Sequence, residues 1–234
     1  MGYHQAGFDV VGVDVAPQPR YPFPFIQADA TALDRRFLQW FDAIHASPPC
    51  QRFSDLARRN GNADDWPDLI EPVRSMLKAS GKLYVIENVE GAPLVDATML
   101  CGTMFPETRV IRHRLFETNW TLVAPPHGKH PLVYTMDKRK AHYGKLNEWT
   151  SPVQVTGGGN CSKAAAADAM GMPWANKQEL NEAIPPAYTR YIGQKLIVRL
   201  RGIDHHPLCS IHTGIQGHRC DYDCAKSEPW RTAA

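Results

Sequence analysis

Ser47-Pro48-Pro49-Cys50-Gln51 carries a thiol on a turn stiffened by two prolines. Each proline fixes its own φ and biases the residue before it away from helix. The apolar run 41–46 just before it reads as a buried strand, so Cys50 is presented at a strand's end, where a nucleophile belongs. The competing reading is an inert buried hydrophobe, the usual fate of an unpaired cysteine. Three carboxylates have a comparable placement. Asp14 ends the valine-rich run 9–15, Asp29 follows the strand-like run 23–27, and Glu87 follows the run 82–86. A thiol and a carboxyl group brought together can add to an electrophile with acid–base help. A carboxylate at the end of a sheet strand is placed to bond the ribose hydroxyls of a nucleotide-like cofactor.

These side chains need a scaffold that brings strand ends together. Residues 1–8 read as the end of a helix, and residues 33–40 as another. Polar residues 58–65, with Asn60-Gly61-Asn62, read as a mobile loop. Pro67 is expected at the first position of a helix whose apolar face is Leu69, Val73, Met76 and Leu77, and which Gly81 ends. Strand and helix patterns alternate four times, which predicts an α/β fold with a mostly parallel sheet and helices on both faces. Ligands in such sheets bind at the C-terminal ends of the strands. Asp14, Asp29, Cys50 and Glu87 are all expected on that one rim.

The chain's 234 residues suffice for one large α/β domain with a small appendage, and 43% hydrophobic with 21% charged residues is ordinary globular composition. No apolar run approaches the ~18 residues of a membrane span, and the N-terminus lacks the pattern of a secretory signal. A cytoplasmic location, no membrane partner and a monomer are the expectations. The six cysteines do not form a disulfide framework. Net charge is +2, but its distribution is uneven. Between residues 107 and 159, Arg109, Arg112, Arg114, Lys129, Lys138, Arg139, Lys140 and Lys145 face only four acids, and four histidines share the span. Such a segment suits a polyanion or is simply a solvated face.

Four short stretches, in this order, resemble the DNA (cytosine-5) methyltransferases. Pro49-Cys50-Gln51 is similar to their catalytic Pro-Cys-Gln loop, and Glu87-Asn88-Val89 to their Glu-Asn-Val strand end. Arg112-His113-Arg114 resembles their Gln-x-Arg-x-Arg segment, and Glu182-Ala183-Ile184-Pro185-Pro186-Ala187 their Asn-Ala-Val-Pro-Pro-Ala stretch. The resemblance covers roughly residues 1–200. It implies a Rossmann-like, S-adenosylmethionine-dependent fold and methyl transfer to cytosine C5 in double-stranded DNA. Cys50 would attack C6 of a flipped-out base, Glu87 would contact N3, Arg114 the O2 side, and Arg112 the backbone or the pocket wall. Attack by a thiolate calls for a thiol pKa below its ordinary value. Cofactor contacts are implied for Asp14, Asp29, Pro49, Glu182 and Ala183. DNA contacts are expected from Gln51, Arg52, Arg58 and Arg59 on a lid, and from Lys138, Arg139 and Lys140 in a short target-recognition segment. Gly157-Gly158-Gly159 would let backbone approach DNA closely or form a plain turn.

The implied organisation is a catalytic core over 1–117, target recognition over 118–160, the rest of the core over 161–200, and a Cys/His-rich tail over 201–234. Cys209, His212, Cys220 and Cys224 in that tail have spacings suited to tetrahedral zinc. The family's first strand and Phe-x-Gly-x-Gly cofactor loop have no counterpart, and a late-called start codon is the expected reason. Glu182 replaces the family's Asn, and Val110 its Gln. Two other readings stay open: the same chemistry on tRNA or another RNA, and a catalytically impaired DNA-binding relative. The compact recognition segment resembles phage and prophage versions, often solitary rather than paired with a restriction nuclease.

Overall fold

The computed structural model describes residues 1–140, 142–156 and 160–202. The proposed tail ligands Cys209, His212, Cys220 and Cys224 lie outside the described residues, as do Gly157, Gly158 and Gly159. One compact unit takes in Met1–Leu196; the described part of the second is residues 197–202, the end of the last helix and the turn after it.

The strands form a small parallel sheet and a larger mixed one rather than one mostly parallel sheet. β1 (Gly12–Asp14) and β2 (Phe25–Gln27) pair in parallel as a sheet of their own. The larger sheet runs β3 (Ala43–Ala46), β4 (Leu83–Asn88), β6 (Arg114–Thr118), β5 (Thr98–Leu100). β3 and β4 are parallel because helical segments cross between them; β4–β6 and β6–β5 are antiparallel. No helix crosses from β4 to β5 or from β5 to β6, where the longest ordered piece is the 3₁₀ turn Gly102–Met104. The α/β character stands, and the antiparallel edge is the departure.

Side-chain alternation along β4 sorts its neighbours. Tyr84 and Ile86 pack with Val73 and Leu77 of α4 (Ile70–Ser80). Val85, one residue out of phase, packs with Phe116 of β6 and with Ala187, Tyr188 and Ile192 of α7 (Pro186–Leu200). Helices therefore cover both faces of the strand that ends in Glu87. Gly2 of α1 (Gly2–Gln5) lies so close to α7 that a Cβ there would stand 2.2 Å from the Pro186 carbonyl oxygen.

Local signals shift several predicted boundaries. The helix expected over 33–40 is the single turn α2 (Arg35–Leu38), opened by Asp34, whose carboxylate accepts from the Arg36 N–H. α4 begins at Ile70, whose N–H is taken by Asp68, so Pro67 stands outside it and Pro72 occupies its first turn. Gly81, at φ 71°, ends α4 as expected. Residues 58–65 are not a loop throughout. Ser54 accepts from the Ala57 N–H and opens α3 (Asp55–Asn60), Gly61 closes it in the left-handed conformation, and the 3₁₀ turn Ala63–Asp65 follows.

Between β6 and α5 (Lys163–Met170) the described residues form no helix or strand beyond one bridge, Val110 with Val153. Its order comes from a core of Val110, Val153, Val155 and Cys161 against the alanines of α5 and Leu180 of α6 (Lys177–Glu182). Alanine-rich α5 forms readily, because alanine loses least on entering a helix, and its small side chains let this segment sit close.

Candidate active site

β3 delivers Pro48, Pro49 and Cys50, and β4 delivers Glu87 and Asn88. Asn88 Nδ2 donates to the Pro48 carbonyl at 3.0 Å, so the two strand ends are tied to one another. Cys50 is half-buried and opens the 3₁₀ turn Gln51–Phe53, its carbonyl accepting from the Phe53 N–H at 3.0 Å.

Register supplies the third element. Glu87 stands opposite Phe116 on antiparallel β6, so Arg114, two residues earlier on the same face, is its diagonal neighbour. Arg114 Nε lies 2.8 Å from Glu87 Oε1 as an ion pair, and both side chains are buried. Arg112 lies on the segment leading into β6. Its Nη1 donates to the Ala183 carbonyl at 3.0 Å and its Nη2 to the Asn181 carbonyl at 2.5 Å. Arg112 Nε is buried with no hydrogen-bond partner among the described residues, and so is Gln51 Oε1. Both unpaired polar atoms belong to residues of this cluster and are free to bond a ligand's polar groups.

The electrostatics correct one expectation. Burial pushes the Cys50 thiol above its ordinary value; Arg114 and Arg112 pull it down and Glu87 pushes it further up. Desolvation outweighs the two guanidinium groups, so the resting thiol is protonated rather than pre-ionised. Glu87 also sits above the ordinary carboxyl range because of burial, against the lowering effects of Arg114, the Ser47 hydroxyl and Arg112. A carboxyl so placed holds a proton more readily than an exposed one. Arg112 is lowered to about 10, by burial first and then by Arg114, and stays charged near neutrality.

A polar chain leads back from Glu87, and no residue spacing pointed to it. Ser47, bonded to Glu87, meets His45 Nε2 at 3.1 Å, and His45 Nδ1 meets the Tyr3 hydroxyl at 2.7 Å. Desolvation lowers His45 to about 4, so it is a neutral relay.

Two cavities flank these groups. One of about 360 Å³ is lined by Asp14, Asp29, Pro48 and Pro49, with Leu33, Phe37 and Leu69 as apolar wall. Glu182 and Ala183 do not line it. Glu182 accepts from Gln178 at 3.1 Å, and Ala183 meets Arg112 instead. The second, of about 650 Å³, is lined by Arg112, Arg114, Phe53, Ser54, Arg58, Gln154 and Thr156. It lies between the Cys50 side and the proposed recognition segment. Arg58 donates to the Phe53 carbonyl at 2.9 Å, and Arg52 reaches the Trp66 carbonyl at 3.0 Å and Asp64 at 3.3 Å. Arg59, Lys138, Arg139 and Lys140 are exposed, Arg139 being paired with Asp137 at 2.8 Å.

Residues 18–98 match the family model of the C-5 cytosine-specific DNA methylases. That segment is similar to a cytosine C5-methylase domain over about a third of the chain. The match takes in Asp29, Pro49, Cys50 and Glu87 and ends before Arg112 and Arg114. No curated protein matches the chain. The family that this segment resembles is one of cytosine-specific DNA methylation at C5. No helix among the described residues is long and apolar enough to cross a membrane.

The tail ligands cannot be compared with the fold, but another set of metal-binding side chains converges within it. Cys101, His113, His127 and His130 bring one ligand atom each within 4.8 Å of one another. Three separate segments supply them, so only the His127-x-x-His130 spacing was available as a signal.

Proposed function

We propose that the chain transfers a methyl group to C5 of cytosine in double-stranded DNA, with Cys50 as nucleophile. The observation that carries this reading is the buried Glu87–Arg114 pair at 2.8 Å, both groups being electrostatically coupled to Cys50 at the tied strand ends. C5 of cytosine is a weak nucleophile until the ring's aromaticity is broken. Attack of the Cys50 sulfur on C6 does that and makes C5 enamine-like. A Glu87 carboxyl at N3 stabilises the adduct by hydrogen bonding or protonation, and its raised pKa suits the protonated form. Arg114 then faces the O2 side, where negative charge develops. Because the resting thiol is protonated, it must give its proton to solvent before or as it attacks C6, a loss that the nearby charges of Arg114 and Arg112 favour and burial opposes. Loss of the C5 proton and expulsion of Cys50 complete the reaction.

S-adenosylmethionine supplies an electrophilic methyl group when bound. The donor set suits it: Asp14 and Asp29 offer carboxylates for ribose hydroxyls and a base amino group, and Pro49 with Leu33, Phe37 and Leu69 offers an apolar slot. The reacting base must leave the duplex, at a cost of a few kcal/mol. The 650 Å³ cavity is the place for it, with Gln51, Arg52, Arg58 and Arg59 on the covering helix and turn, and Lys138, Arg139 and Lys140 toward the phosphates. DNA from cells expressing the chain should contain 5-methylcytosine, and DNA from cells expressing Cys50→Ser should not. Unmodified DNA with methylated tRNA from the same cells would redirect the chemistry to RNA. Tight DNA binding with neither product would leave an inactive binding relative.

A further inference from the structure

The structure assigns a closed, tetrahedral zinc site to Cys101, His113, His127 and His130, at the back of the proposed base cavity. The His113 and His130 Nε2 atoms are 3.0 Å apart, His127 and His113 3.3 Å, and His130 and His127 3.2 Å. Cys101 Sγ lies 3.3 Å from His130 Nε2. Zinc bound by three imidazoles and a thiolate would set N···N edges of about 3.3 Å and S···N edges of about 3.5 Å, from its ordinary bond lengths and tetrahedral angles. The three N···N separations and the Cys101–His130 separation are close to those figures, and all four ligand atoms lie within 4.8 Å of one another.

Hydrogen bonding among the rings does not account for the cluster. Each Nε2 has one in-plane position, holding either a proton or a lone pair. Three mutually close Nε2 atoms can then make one hydrogen bond among themselves, leaving the other two contacts unsatisfied. A central cation takes all three lone pairs at once. The rings are also splayed, with interplanar angles of 70°, 54° and 50°, as spokes around a hub rather than a stack.

The surrounding groups match this assignment. His113 Nδ1 lies 2.9 Å from Glu90 Oε1. Donation there fixes the tautomer, leaves Nε2 free for the metal and strengthens its lone pair, the usual carboxylate–histidine–zinc arrangement. Cys101 is fully buried, a poor place for an uncompensated thiolate and a good one for a thiolate on zinc. Zn²⁺, the Cys101 thiolate and Glu90 sum to zero charge. Four protein ligands leave no open position, so the role is structural.

Its placement gives that role content. Cys101 follows β5, His113 stands between Arg112 and Arg114, and His127 and His130 come from the irregular segment after β6. One ion would therefore pin that segment to the strand start that carries both arginines. Glu90, His113 and His130 line the same 650 Å³ cavity as Arg112 and Arg114.

Full-length protein purified under reducing conditions, with zinc supplied and excess removed, tests this by elemental analysis. Wild type should retain zinc, and Cys101→Ser and His127→Gln should each remove one equivalent, whereas the double variant Cys209→Ser/Cys220→Ser should leave that equivalent in place. Glu90 is exposed, so Glu90→Gln should fold normally and weaken zinc about 10–100-fold in chelator competition. Cobalt-substituted wild type should give tetrahedral visible bands with thiolate charge transfer, the latter lost in Cys101→Ser. Metal-free wild type, zinc unaffected by Cys101→Ser and Glu90→Gln, or zinc lost only with the tail cysteines would each overturn the assignment. None of these readouts depends on methylation.

Discussion

Two buried Arg–Glu pairs sit on opposite faces of β4 and β6, and they are balanced differently. Glu117, facing α4, receives Arg74 Nε and Nη2 at 2.8 Å each and the Val95 N–H at 2.8 Å. Burial opposes its ionisation, but the Arg74 hydrogen bonds, the Val95 N–H and the charges of Arg74 and Lys78 prevail, and its pKa falls below the ordinary carboxyl value. Glu87, on the other face, meets Arg114 through one close contact, and burial prevails. The same residue types thus give a satisfied tie on one face and a poised acid on the other. The number of hydrogen bonds to the carboxylate makes the difference. On the proposed reading, the structural pair is closed and the pair that would meet the base is left with fewer partners.

The sharpest way to break this comparison is to neutralise each glutamate. Glu87→Gln should lower methylation about 10²–10⁴-fold, the range for losing a positioned acid, with folding retained. Glu117→Gln should instead cost stability, up to about 3–5 kcal/mol by urea unfolding, because buried Arg74 loses its two-point partner and keeps only Glu71 and the Pro93 carbonyl. Its remaining activity should follow the folded fraction. A Glu117 variant that folds normally yet loses turnover would reverse the roles.

Acid should separate the two with opposite signs. Glu117 has a depressed folded pKa, so its contribution is present above the ordinary carboxyl value and is lost as pH falls through the folded value. Glu87 has a raised one, so its contribution is present below the ordinary value and is lost as pH rises through the folded value. The stability gap between wild type and Glu117→Gln should shrink in acid. Glu87→Gln should gain on wild type as pH rises. Thermal melts of the three proteins across pH 3–8, about the range spanned by shifted carboxyl groups, would register both trends.

A smaller effect is expected at Gly91, where β4 hands over to the cavity wall. A Cβ there would lie 2.2 Å from Arg58 Nη2 and 2.6 Å from the Phe53 carbonyl oxygen, which is backbone and cannot swing away. Gly91→Ala should displace the Phe53–Arg58 cover at a cost of about 1–3 kcal/mol. The expected signature is a higher KM for DNA together with that modest loss in unfolding free energy. An unchanged KM would mean that this cover does not meet DNA.

Part of this was legible in the chain. Cys50 and Glu87 follow apolar strand runs, and strand ends are where α/β folds place chemistry. Asp14 and Asp29 likewise line one cavity with Pro49. The Arg114–Glu87 contact was not legible as geometry, because it depends on antiparallel register with β6, a strand beyond the last one that the alternating pattern covered. α3 was hidden by its polar composition; Ser54 as a cap and Gly61 as a stop were the signals available. The state of the Cys50 thiol was misjudged because desolvation depends on packing, which residue type alone does not give. Cys101 and the three histidines meet only after three segments fold, so spacing in sequence pointed to the tail instead.

The most direct test of the central claim is covalent trapping at Cys50. Duplex DNA carrying 5-fluorocytosine in place of cytosine blocks the last step, since fluorine cannot leave as the C5 proton does. With S-adenosylmethionine present, wild type should form a denaturation-resistant protein–DNA adduct, and the attached nucleotide should map to the peptide containing Cys50. Cys50→Ser should form none. Methylation of ordinary DNA without any adduct at Cys50 would contradict the account.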